Sequence, residues 1–212
     1  LFASGDLLFA TTCASDVDPA KGRWLVARLT ATGKEAWRGR LPDVCDPDSI
    51  SEIAGLILVR AGGFGGTGGF SRFFRRTGEL VIDLAEYASQ VWTDGTDLVV
   101  VTGARTARLD LAGRVLWESQ DLKAGDLNGA EVLALEGGDL IAFSWCPIAD
   151  SGVEVARFAR ADGKTVWKAK CAPVGVSHSK YWHRPYAEVR VDRLVLVSQG
   201  AEGNFIEMLD LD

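Results

Sequence analysis

Val155-Ala-Arg-Phe-Ala-Arg-Ala-Asp-Gly-Lys-Thr-Val-Trp167 reads as a strand, a turn built on Asp-Gly, and a second strand with a large ring four residues after the glycine. The same phrase stands at Leu25-Val-Ala-Arg-Leu-Thr-Ala-Thr-Gly-Lys-Glu-Ala-Trp37, at Ser71-Arg-Phe-Phe-Arg-Arg-Thr-Gly-Glu-Leu-Val-Ile82 and at Thr106-Ala-Arg-Leu-Asp-Leu-Ala-Gly-Arg-Val-Leu-Trp117. Gly33, Gly78, Gly113 and Gly163 precede Trp37, Ile82, Trp117 and Trp167 by a constant offset, and the glycines recur at a mean of about 43 residues. That period belongs to a repeat architecture in which each unit is one small sheet. Glycine supplies the positive φ a tight hairpin demands. The ring is expected to fill the wedge between neighbouring sheets, where it removes roughly 150–250 Å² from water, and Ile82 is expected to fill its wedge less well.

Two further strand candidates precede each hairpin. Ile50-Ser-Glu-Ile-Ala with Gly55 to Arg60, Gln90 to Thr93 with Asp97 to Thr102, Glu131 to Leu135 with Asp139 to Ser144, and Glu188 to Val191 with Arg193 to Ser198 each read as an alternating strand, a turn, and a continuous apolar strand. The expected fold is therefore an all-β propeller of four-stranded antiparallel blades, at approximately 1–45, 46–88, 89–125, 126–175 and 176–212 of a single domain or a portion of one. The first blade lacks most of its innermost strand, and the fifth, running through Asn204 to Asp212, stops where its turn glycine and outer strand should begin. This gives four nearly complete blades and three strands of a fifth. It fits a portion of a larger propeller of seven or eight blades, whose remainder lies on another chain or beyond these residues, or a five-bladed ring with an incomplete last blade.

Thr32-Gly33-Lys34 with Trp37, and Asp162-Gly163-Lys164 with Trp167, resemble the signature of the PQQ-like β-propeller repeat family. The resemblance runs through nearly the whole chain and implies fold more strongly than activity, because such propellers serve as enzymes, scaffolds and sensors. Quinoprotein members cover the quinone with adjacent cysteines inside a complete ring, and no Cys-Cys pair is present here. Outer-membrane assembly lipoproteins of the same family imply a non-catalytic scaffold of the cell envelope. Neither an enzyme nor a bound cofactor is expected, since no Gly-x-Ser-x-Gly, His-Glu-x-x-His or paired-carboxylate pattern appears.

Composition narrows the partners. The chain has 212 residues, 47% hydrophobic, with 29 acidic against 23 basic residues and a net charge of −6. That balance gives no attraction to nucleic-acid phosphates or an anionic membrane surface. The apolar runs, such as Leu56 to Val59 and Leu98 to Val101, are strand-length and far below the roughly 20 residues of a membrane helix, so no membrane insertion is expected.

Loop lengths divide the two ends of the blades. Short turns at Asp94-Gly95, Gly137-Gly138, Thr32-Gly33, Thr77-Gly78 and Ala112-Gly113 share one face, while Cys13–Arg23, Asp43–Ser49, Ala61–Phe70, Gln120–Asn128, Cys146–Gly152 and Cys171–Pro185 form long connections on the other. Long loops on a rigid scaffold are where binding concentrates. Cys13 and Cys146 end second strands, and Cys45 and Cys171 follow the Trp strands, so Cys13–Cys45 and Cys146–Cys171 are the expected disulfides. Four cysteines formally allow three pairings, and four free thiols are the alternative. Disulfides would mean an extracytoplasmic location: periplasmic, cell-surface or secreted.

Ser177-His-Ser-Lys-Tyr-Trp-His-Arg-Pro-Tyr186 gathers both histidines with three aromatics in one long loop. His178, Tyr181, Trp182, His183 and Tyr186, with Trp145, form the candidate binding face for a protein partner or a glycan; the alternative is a loop whose aromatics cover strand ends. No metal site is expected, because two histidines without nearby carboxylates make a poor ligand set. Gly62 to Gly69 is read as a flexible inter-strand loop rather than a phosphate cradle, since a strand and not a helix follows it. Asp16, Asp18, Asp43, Asp46 and Asp48 are read as a solvated rim rather than a Ca²⁺ site, lacking EF-hand spacing.

Overall fold

Continuous runs such as Leu98-Val-Val-Val101 and Leu140-Ile-Ala-Phe143 can be satisfied only by strands covered on both faces, and this dictates a stack of sheets. A computed structural model describes residues 6–12, 24–41, 49–62, 69–122, 129–135, 138–145, 153–171, 185–200 and 203–211. Among these residues lie eighteen strands in five antiparallel sheets. The first sheet is β1 (Leu7–Thr12), β2 (Trp24–Leu29) and β3 (Glu35–Arg40). The second is β4 (Ser49–Ile53), β5 (Leu56–Gly62), β6 (Gly69–Arg75) and β7 (Leu80–Leu84), and the third is β8 (Ala88–Thr93), β9 (Asp97–Thr102), β10 (Thr106–Asp110) and β11 (Val115–Ser119). The fourth is β12 (Gly129–Ala134), β13 (Leu140–Trp145), β14 (Val153–Phe158) and β15 (Thr165–Lys170). The fifth holds β16 (Tyr186–Arg190), β17 (Arg193–Gly200) and β18 (Gly203–Asp210). Each sheet is a meander in sequence order, as the repeat requires.

Register repeats as closely as sequence. Arg28 faces Trp37, Phe73 faces Ile82, Arg108 faces Trp117 and Arg157 faces Trp167, and in all four pairs a bulge follows immediately. The bulge places one extra residue on the outer strand and sharpens the local twist. The constant glycine-to-ring offset is the sequence image of this bulged hairpin.

The chain forms two compact units, Leu1–Ala88 with Leu111–Gly113, and Ser89–Asp110 with Arg114–Asp212. In the first unit Ile57, Val59, Ala61, Phe70 and Phe74 form a core, against which Leu8, Trp37 and Ile50 pack. The Trp37 ring stacks on Phe74 at 5.9 Å between centroids. In the second unit all six residues of β9 and all six of β13 are buried. Val99, Val101 and Trp117 of the third sheet pack on Val132, Leu140, Ala142, Ala156 and Phe158 of the fourth. The opposite face of the fourth sheet, Ile141, Phe143, Trp145, Val153 and Val155, packs on Leu194 and Leu196 of the fifth.

The rings meet the turn glycines of the following sheet. A Cβ on Gly78 would lie 2.7 Å from Trp37 Cγ, and one on Gly163 would lie 2.4 Å from Trp117 Cδ2. Both glycines have positive φ, +91° and +70°. The indole N–H of Trp37 donates to the Arg76 carbonyl at 2.8 Å, and that of Trp117 donates to the Arg160 carbonyl at 2.9 Å. Ile82 holds the corresponding place on Gly113 and is buried to 4% exposure, so the smaller side chain still closes its wedge. A ring of this size stabilises by about 4–6 kcal/mol before entropy is counted, taking about 25 cal/mol per Å².

Gly163→Val should therefore cost far more than Gly95→Ala. Gly95 also has positive φ but no atom within 4 Å of its would-be Cβ, so it tests strain alone, worth about 1–2 kcal/mol. Gly163→Val adds the displaced Trp117 ring, for a total loss of about 4 kcal/mol, read by urea denaturation of both variants.

Candidate functional site

At the end of each sheet that carries the tight turns, polar side chains are consumed in a repeated network. Arg28, Arg108 and Arg157 each pair with an aspartate at the start of the neighbouring strand: Asp6, Asp97 and Asp139. The second oxygens of Asp6 and Asp139 accept turn amides, from Ala31 at 3.2 Å and Arg160 at 3.4 Å. The same arginines reach forward to a carbonyl of the following sheet: Arg28 to Arg76 at 2.7 Å, Arg108 to Arg160 at 2.6 Å and Arg157 to Leu211. In the first and third sheets this is the carbonyl that takes the Trp N–H, so one oxygen accepts two donors. Arg160 in turn bonds Asp94 and lies 5.7 Å over the Trp92 ring.

This network was missed from sequence, although Ala27-Arg28-Leu29, Ala107-Arg108-Leu109 and Ala156-Arg157-Phe158 carry its signal together with Asp6-Leu7, Asp97-Leu98 and Asp139-Leu140. The second sheet lacks it as a unit, having Leu56, Phe73 and Ile82 at the aspartate, arginine and ring positions. The network is structural: it is spent on holding the sheets.

The opposite ends of the strands carry the long connections. In the second sheet Gly62 pairs with Gly69 at the mouth of the loop, and a Cβ on either would lie 3.0 Å from Tyr87 atoms. Arg60 sits 5.5 Å over the Tyr87 ring, donating to Ser49 Oγ at 3.0 Å and the Ala88 carbonyl at 2.7 Å. Ser71 Oγ donates to the Glu86 carbonyl at 3.0 Å and accepts from the Ala88 amide at 2.8 Å. The outer glycines of the Gly-rich run thus let an aromatic ring lie on the strand ends.

In the fourth sheet Trp145 pairs with Val153 at the mouth of the 146–152 connection. Trp145 is 7% exposed and stacks on Phe143 at 5.8 Å, so it belongs to the core and not to a presented binding face. Cys171 is a buried free thiol whose amide donates to the Val153 carbonyl at 2.8 Å. Burial, with the Glu207 carboxylate adding, pushes that thiol up to about 12. Tyr186 is 60% exposed, with its hydroxyl 3.2 Å from Glu188 Oε2. Cys13, Cys45, Cys146, His178, Tyr181, Trp182 and His183, like Asp16, Asp18, Asp43, Asp46 and Asp48, lie outside the described residues. Among the described residues no group of three or more His, Cys, Asp or Glu side chains could hold a metal ion.

Of the ring positions, Trp37, Ile82 and Trp117 meet a following turn. Trp167 packs against the core between the fourth and fifth sheets, but its indole N–H is buried without an acceptor.

Five antiparallel meanders with large side chains wedged between consecutive sheets define the β-propeller fold class. Kluyveromyces marxianus Hsv2, a β-propeller, is similar in structure with a TM-score of 0.50 at 11% identity, matching 100% of this chain and 58% of its own. The chain therefore spans less than two thirds of that protein. A protein of unknown function from Bacteroides caccae matches 97% of this chain and 72% of its own at 17% identity and TM-score 0.41. The Neurospora crassa Pan2 WD40 domain matches 100% and 71% at 9% identity and TM-score 0.46. No family model and no curated protein matches the sequence.

Arg108→Met should destabilise by about 3 kcal/mol, because it strands the Asp97 carboxylate at 5% exposure. Adding Asp97→Ala should recover more than half of that loss, since the second sheet already closes without the pair. Chemical denaturation of the single and double variants measures the recovery.

Proposed function

We propose that the chain is a non-catalytic propeller scaffold of the PQQ-like repeat type that binds a protein partner through its long-connection face. One observation carries this reading: the turn ends of the sheets are short and internally bonded, whereas the connections 13–23, 42–48, 63–68, 123–128, 146–152 and 172–185 all leave from the opposite strand ends. Loops mounted on rigid strands can vary to suit a partner without disturbing the fold. Tyr186, exposed at the end of the 172–185 connection, is the described member of that face.

A photo-crosslinker placed at Tyr186 in the native source should capture one defined protein, while the same probe at Gly95 on the tight-turn end captures none. Equal capture from both ends would overturn the reading. Glycan-array binding that Trp182→Ala abolishes would replace the protein partner with a carbohydrate.

The location we propose is extracytoplasmic, which disulfides at Cys13–Cys45 and Cys146–Cys171 would mark; in the structure Cys171 is a free thiol, and the other three cysteines lie outside the described residues. The native protein, denatured without reductant, should then take up no iodoacetamide and should gain four labels after reduction, read by intact mass. Labelling before reduction would place the thiols free and remove the argument for an oxidising compartment.

A further inference from the structure

Arginine and lysine are put to different uses in this chain. Arginines at the turn ends are committed to aspartates and to backbone carbonyls of the following sheet. Three of the seven lysines, Lys164, Lys168 and Lys170, stand instead on β15 and the turn that opens it. The chain carries a net charge of −6, so β15 is a local reversal of sign. Among the described residues β15 has β14 on one side and no strand on the other, although the sequence runs on after it to build β16, β17 and β18.

Register shows what that edge offers. The Cys171 amide donates to the Val153 carbonyl at 2.8 Å, and Ala169 with Val155 and Trp167 with Arg157 are the pairs of the same parity. Alternate residues of an antiparallel strand direct their N–H and C=O groups to opposite sides. Trp167 and Ala169 therefore bond β14, while the backbone groups of Lys168 and Lys170 point away from it. Side chains follow the same alternation: Val166 is 53% exposed and Lys168 and Lys170 are exposed, whereas Trp167 and Ala169 are half-buried. Backbone donors, backbone acceptors and ammonium groups thus stand together at two alternate positions, with an apolar side chain two residues before them.

Charge decides what fits. On β11, Arg114 and Glu118 are spent within their own sheet on Asp110 and Arg105, and on β7, Glu79 and Asp83 are spent on Arg75 and Arg72. On β15, Lys168 gives one of its three donors to Asp121 at 2.7 Å, and Lys170 has no ion pair among the described residues. A second copy of β15 is a poor match, because antiparallel pairing about Lys168 sets that lysine against itself, and like charges directly opposite destabilise a sheet. The connection that follows, residues 172–185, contains no aspartate or glutamate to answer the lysines.

We propose that the β15 edge is a docking site for an acidic extended segment of a protein partner, added as a strand antiparallel to β15. In the partner's chain order a carboxylate lies opposite Lys170, a second opposite Lys168 two residues later, and an apolar side chain against Val166 two residues after that. This surface is separate from the long-connection face and does not depend on that reading.

The probe is the synthetic peptide acetyl-Glu-Thr-Glu-Thr-Val-Thr-amide, added to the full chain at millimolar concentration. Hydrogen exchange at the Lys168 and Lys170 amides should slow about tenfold, while Trp167 and Ala169, which face β14, stay unchanged. The counterpart with lysine in place of both glutamates should leave all four amides unchanged. Lys170→Gln, an exposed substitution that breaks no described ion pair, should weaken the acidic peptide about threefold. Absence of protection at Lys168 and Lys170, equal protection by the two peptides, or equal protection of β11 would overturn the proposal. It would also fall if inorganic phosphate shifted the two lysine side-chain resonances as far as the peptide does and no amide were protected, which would make β15 an anion-binding surface. A dimer whose formation protects the same amides would overturn it too, assigning the edge to a second copy.

Discussion

A flat ring laid on a bare backbone turn is the contact on which the sheets depend. Trp37 over Gly78 and Trp117 over Gly163 leave no room for a Cβ between ring and turn. The contact fixes the separation of neighbouring sheets at the thickness of one indole, and the N–H bond to the turn carbonyl fixes the ring's orientation. The glycine is needed twice over, once for its positive φ and once for the space it leaves empty. The bulge that follows each arginine-to-ring pair aims the ring off its own sheet, so register, turn and wedge are parts of one device.

Around this contact the repeats solve the same packing problem in two ways. The first, third and fourth sheets use aspartate, arginine and tryptophan, while the second uses Leu56, Phe73 and Ile82. The three positions change together because each polar member needs the others. Arginine without its aspartate would be a poorly paired cation at a half-buried site, and aspartate without arginine would be a desolvated carboxylate. An apolar trio needs no such matching, and Ile82 at 4% exposure shows that it closes the wedge as well. The polar version adds direction: its guanidinium bonds a carbonyl on the following sheet, joining consecutive repeats where an apolar contact would only fill space.

How far the sequence is legible follows from how local each feature is. The glycine turns, the ring offset and strands such as Asp97–Thr102 depend on neighbours within one hairpin, so period and residue type reveal them. The Arg108 network joins residues 11 and 52 positions apart: its Asp97 half has a signal in the repeated Ala-Arg and Asp-Leu pairs, whereas nothing local announces the reach to the Arg160 carbonyl. Trp145 misled for a related reason. It stands at the mouth of a long connection, a position suited to binding, but it points into the face that Phe143 and Val153 share and is buried there. Strand parity, which puts Trp145 on the same face as Ile141 and Phe143, is the signal that would have placed it inside. The candidate binding face resists sequence reading most, because Tyr181 and Trp182 stand in a connection with neither period nor register to assign them.

The two ends of each strand therefore do different work, and the asymmetry is set by chemistry. The turn ends concentrate charged and hydrogen-bonding groups that are satisfied by the next repeat, so substitution there propagates to the neighbouring sheet. The opposite ends of the second sheet are closed by Tyr87 lying on Gly62 and Gly69, with Arg60 donating to the Ala88 carbonyl and Ser71 Oγ accepting the Ala88 amide at the start of β8. A change at a turn therefore meets the charged network that reaches the following sheet, whereas a change at the Gly62 and Gly69 end meets ring and backbone contacts.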